Sequence, residues 1–167
     1  MNIKLYGTTE QKKLAAYPDR IAKAQAIQSA IPNIQELNLD DTQKLKDRMQ
    51  RYGKELLAYQ VSMETVLRCY NSIISDGNAD CDKMEKVIQD APKNTDPSRL
   101  FSLTTSIVQT KQQLVFIEQK CISLSNQIES VKAARAAISV SIEQNKLANL
   151  AEILLAIKQR DIEIHQK

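Results

Sequence analysis

Glycine occurs three times, proline four times, phenylalanine twice and tryptophan not at all in the 167 residues. So few turn formers exclude collagen, Gly/Ser linkers and Pro-rich repeats. A β-sandwich or barrel needs frequent turns and a core of aromatic and β-branched residues, and neither is on offer. A single histidine, His165, removes most histidine-based catalysis and most zinc sites. Three cysteines, Cys69, Cys81 and Cys121, cannot close a disulfide framework; they read as reduced thiols, buried or half-buried, in a cytosolic protein. Long apolar runs are missing too. The longest is Ile153–Ile157, far too short to span a bilayer. Met1–Gly7 lacks the apolar core of a signal peptide. The expectation is a soluble, cytoplasmic protein, with export by a route that reads no cleavable signal left open.

What is present is enough to fold. Hydrophobic residues make up 43% and charged residues 26%, which argues against bulk disorder. The net charge of +3 is mildly basic and well short of a polyanion-binding signature. It is unevenly spread. Residues 1–75 hold eleven Lys/Arg against eight Asp/Glu, residues 76–97 three against six, and residues 98–167 nine against six. An acidic middle separates two basic arms.

The arms carry helical patterning. Residues 1–39 read as an N-terminal helical segment. Thr8 and Thr9 offer hydroxyl caps, Pro18 suits the first turn of a new helix, and Pro32 stops it. Residues 41–75 read as a long helix capped by Asp40, Asp41 and Thr42. Its apolar positions are Leu45, Met49, Tyr52, Leu56, Tyr59, Met63, Val66, Tyr70 and Ile73. They step 4-3-4-3 without a break, which is a heptad seam for a partner helix. Asp76-Gly77-Asn78 reads as a turn, and residues 76–97 as an acidic elbow holding one short helix. Pro97 opens a very long helix to residue 166, which Asp96 or Ser98 can cap, with Leu103, Ile107, Leu114, Ile117, Cys121, Leu124, Ile128, Val131, Ile138 and Ile142 on its seam. The register slips near Asn145 to Asn149, where a bend or break is expected. Thr110 and Arg135 interrupt the seam. A buried lone arginine is costly, so Arg135 snorkels to solvent, pairs with a glutamate across the seam, or marks an opened bundle. The fold class expected is all-α: one domain, an elongated helical bundle built on a long antiparallel coiled-coil hairpin.

Sites with chemistry fare poorly. Asp76, Asn78, Asp80 and Asp82 alternate like calcium ligands, but Cys81 stands where the loop needs glycine and Val87 where it needs a bidentate glutamate. Cys69, Cys81, Cys121 and His165 lack the close spacing of a zinc site. A carboxylate di-iron bundle needs Glu-x-x-His twice. No phosphate-binding glycine loop, nucleophile elbow or Cys/His pairing is found. The expectation is therefore no catalytic residue, no metal, no cofactor and no small-molecule substrate.

A second stripe points elsewhere. Val108, Val115 and Ile122 repeat every seven residues beside the main seam, and Leu150, Leu154 and Ile157 make an apolar face further on. A two-stranded coil needs one seam, so a wider apolar face implies a further helix, either the N-terminal one or another molecule. These six residues are the candidate partner-binding surface of a non-enzymatic interaction or assembly protein that meets a protein partner or copies of itself. The alternative is a weak nucleic-acid binder using the basic run Lys44, Lys46, Arg48, Arg51 and Lys54 around Tyr52. In style the chain is similar to helical-hairpin proteins of bacterial secretion machines: few aromatics, no tryptophan, and long helices rich in Ser, Thr, Gln and Asn. That similarity carries no motif; it implies a subunit or chaperone-like adaptor.

Overall fold

The computed structural model describes residues 6–34, 45–144 and 155–159, which are mostly helical with no strand among them. The helices are α1 (Thr8–Ala15), α2 (Tyr17–Ser29), α3 (Leu45–Gln89) and α4 (Pro97–Gln144), and residues 155–159 add a short helical stretch. The chain divides into two compact units, Met1–Ala26 with Arg68–Cys121, and Ile27–Leu67 with Ile122–Lys167. The helices α3 and α4 contribute to both, and pair as an antiparallel hairpin. In the first unit Gly77 meets Leu114 and Glu85 meets Lys111; in the second Gly53 meets Ile138 and Gln60 meets Arg135. As one number falls the other rises.

The seam is the core. In the first unit Tyr70, Ile73, Cys81 and Met84 of α3 are buried, with Leu103, Ile107, Leu114 and Ile117 of α4. In the second, Leu45, Met49, Leu56, Ala134 and Ile138 form a cluster, and Ile34, Tyr52, Val131, Ala137, Ile142 and Ile157 pack against it. Cys69 and Cys121 are half-buried and all three cysteines are free.

The acidic elbow is a correction. α3 does not turn at Asp76-Gly77-Asn78; it continues to Gln89, and the connection shrinks to residues 90–96. The reason is tertiary. Gly77 is a buried seam position, and a Cβ there would lie 2.7 Å from both terminal methyl carbons of Leu114. The glycine lets α4 approach the α3 backbone rather than reversing the chain. The short helix expected within the elbow is the last part of α3. Asp96 does start α4: its Oδ1 accepts from the Ser98 N–H at 3.0 Å.

The N-terminus departs from expectation in a similar way. No side chain caps α1. Gly7 precedes it at φ 75°, a conformation that favours glycine, and its carbonyl accepts from the Gln11 N–H at 2.9 Å. Thr8 Oγ1 instead accepts from Arg99 Nη2 at 3.2 Å. Pro18 does lie in the first turn of α2, and Pro32 lies just beyond its end. The expected caps Asp40, Asp41 and Thr42 and the expected break near 145–149 lie outside the described residues.

Asp76 and Asp80 hold α2 in place. Tyr17 is almost wholly buried and donates its hydroxyl to Asp80 Oδ2 at 2.5 Å. Burial first, then that bond to a carboxylate, pushes the tyrosine's pKa well above the ordinary phenol range. Arg20 pairs with Asp76 at 3.0 Å and lies 5.3 Å from the centre of the Tyr17 ring. The four residues that alternated like calcium ligands all lie on α3, and two of them, Asp76 and Asp80, one turn apart, serve as acceptors for α2.

In the second unit Arg135 finds a partner that is not a glutamate. Its Nη1 donates to Gln60 Oε1 at 2.9 Å, and Gln60 Nε2 donates on to Glu64 Oε1 at 2.7 Å. The buried glutamine relays a carboxylate to the guanidinium, so a polar seam position is satisfied without a direct ion pair.

The two glycines of α3 separate by their surroundings. Gly53→Ala meets only Ile138 Cγ2 at 3.9 Å, an ordinary contact, and should stabilise by about 0.5–1 kcal/mol through helix propensity. Gly77→Ala gains the same propensity but overpacks against Leu114, and should destabilise by about 1–2 kcal/mol. Denaturant melts followed by circular dichroism should give opposite signs; equal signs would refute the close approach.

Candidate interaction face

The interaction face grows out of the α4 pattern. Leu103, Ile107, Thr110, Leu114 and Ile117 are buried on the seam. Val108 and Val115 each follow a buried residue, about 100° further round the helix, and so turn away from α3. They are 48% and 53% exposed.

The N-terminal helix does not cover them. It takes the flank of α4 that carries Arg99, Ser102 and Ser106. Gln11 Nε2 donates to Ser102 Oγ at 3.1 Å and to Ser106 Oγ at 3.0 Å. Arg99 Nε donates to the Tyr6 carbonyl at 2.7 Å. Of the two covers allowed by the sequence, the N-terminal helix is thus taken elsewhere.

The face is wider than the sequence reading made it. Phe101, seven residues before Val108, is 75% exposed. Its position on the same heptad step was the signal that could have found it. Phe116, beside Val115, is 50% exposed, with the Lys120 ammonium 5.3 Å from its ring centre. Nothing in the heptad count singles it out. Between the apolar steps lie Thr105, Gln112 and Gln119, all uncharged. Thr105 Oγ1 donates to its own helix, at the Phe101 carbonyl, 2.9 Å away. Lys111, on the border of the face, pairs with Glu85 of α3.

The other candidate residues scatter. Ile122 is exposed on α4 in the second unit. Ile157 is half-buried and packs against the core cluster of the second unit, so its apolar side meets its own chain. Its neighbour Leu155, not singled out from sequence, is exposed. Leu150 and Leu154 lie outside the described residues, as does Lys44. Of the basic run, Lys46, Arg51 and Lys54 are exposed and Arg48 is half-buried. These four fan over about 200° of helix circumference. Tyr52, the aromatic among them, packs against the core cluster rather than standing open for base stacking.

Among the described residues no group of three His, Cys, Asp or Glu side chains is placed to hold a metal ion, and no helix is long and apolar enough to cross a membrane. Set against protein-family models, curated proteins and solved structures, the chain matches none.

Exposed and buried positions of α4 should respond differently. Val108→Ser and Val115→Ser should each change unfolding free energy by no more than about 0.5 kcal/mol. Leu114→Ala, at a residue 2% exposed, should cost about 2–5 kcal/mol. Thermal and denaturant unfolding measure both; a comparable loss at Val108 or Val115 would mean the stripe is covered.

Proposed function

We propose that this chain is a non-enzymatic interaction protein that presents one face of α4 to a helical partner. The observation that carries the reading is the regular apolar stripe Phe101, Val108 and Val115, left open while α1 occupies another flank of the same helix. Scattered exposed apolar residues are ordinary on a protein surface. A run that keeps the seven-residue step, with Phe116 beside it and no charge between, has the form in which one helix docks on another. The adjoining antiparallel seam gives such a face a rigid backing. A role as a subunit or adaptor of a larger assembly fits this reading.

The test uses the full chain as bait in a native lysate, beside the variant Val108→Asp/Val115→Asp. A protein, or untagged copies of the chain, retained at least about tenfold better by the wild type supports the reading. The same retained proteins on both baits, with helicity unchanged, would overturn it.

A further inference from the structure

We infer that the occupant of this face is a second copy of the same chain, with α4 against α4 in antiparallel orientation. The inference rests on the interaction-face reading and names its partner. Phe101, Thr105, Val108, Gln112, Val115 and Gln119 step 4-3-4-3-4 along α4, forming a second seam free of charge in a chain that is 26% charged. A partner with charges along its docking stripe would leave them unpaired against it, whereas an uncharged seam is matched by itself.

The border of the face sets the orientation. Lys111 and Glu118 lie on the same edge, seven residues and about 10 Å apart. In an antiparallel pair with its two-fold axis between Gln112 and Val115, Gln112 meets the partner's Val115, and Val108 meets the partner's Gln119. Lys111 then meets the partner's Glu118, and symmetry makes the pair twice. In a parallel pair that edge meets the partner's other edge, with Gln109 and Phe116, and neither charge meets its opposite. Lys111 is already bonded to Glu85 within its own chain. An ammonium has three donors, so it can serve Glu85 and the partner's Glu118 together. One helix pair is a small contact, so the association is reversible and concentration-dependent.

Sedimentation equilibrium of the full chain from micromolar to millimolar concentration tests this, with circular dichroism as the control for folding. The wild type should pass from monomer to dimer, and Val115→Asp should stay monomeric with the same helicity. Lys111→Glu places like charges opposite twice and should weaken the dimer by about tenfold or more. Lys111→Glu/Glu118→Lys should recover wild-type affinity to within about threefold. The double variant keeps a glutamate beside Glu85, so recovery isolates the contact between copies. A dimer indifferent to Val115→Asp, or a charge swap that fails to recover, overturns the antiparallel pairing. A wild type that is monomeric throughout overturns the second copy as occupant. If that monomer still captures a different protein through Val108 and Val115, the interaction-face reading stands; if it captures none, both fall.

Discussion

Leu114 packs against the backbone of α3 at Gly77, and the rest of the first unit follows from that contact. A glycine inside a helix costs about 1 kcal/mol relative to alanine. Burying a leucine side chain returns about 1.5–3 kcal/mol, and Leu114 is 2% exposed. The balance keeps α3 helical through Asp-Gly-Asn, a sequence that alone favours a turn. Because α3 runs on to Gln89, Cys81 and Met84 join the seam, both fully buried. Asp76 and Asp80 come to rest one turn apart on a helix flank, where Arg20 and Tyr17 of α2 meet them. The N-terminal helices are thereby set on one side, with Gln11 and Thr8 bonded to the Arg99–Ser106 flank of α4.

Much of this was legible in the chain, and the failures share a cause. The heptad steps from Leu45 to Ile73 and from Leu103 to Ile142 named the α3 and α4 seams, because buried helix faces need apolar residues at that period. Pro18, Pro32 and Asp96 marked helix ends through local chemistry that tertiary contacts did not override. Gly77 and Thr8 were misread because their roles depend on residues far along the chain, Leu114 and Arg99. The heptad count also stopped at Ile73, whereas Gly77, Cys81 and Met84 continue the seam by steps of four, four and three. No rule of spacing says that a glycine holds a seam position until the facing leucine is known.

Arg135 teaches a related lesson in the second unit. Three fates were open to it from sequence, and the outcome is a fourth, a hydrogen bond to the uncharged Gln60. It remains half-buried, and a glutamine hydrogen bond stands between it and Glu64. The core cluster of Met49, Leu56, Ala134 and Ile138 surrounds a seam that therefore tolerates one polar step. The candidate face on α4 was visible in part. Val108 and Val115 stood out by period, while Phe101 extended the same series unnoticed and Phe116 lay off it. The structure adds which neighbour does not cover them.

Residue-resolved backbone hydrogen exchange of the intact chain tests the continuity of α3 most directly. Amides of Asp76, Gly77 and Asn78 should exchange slowly, with protection close to that of Ile73 and Cys81, because they lie inside a packed helix. Amides of Lys93 and Asn94, in the connection, should exchange fast. Fast exchange at residues 76–78, matching that of 93–94, would show that the chain turns there and would contradict the packing of Leu114 on α3.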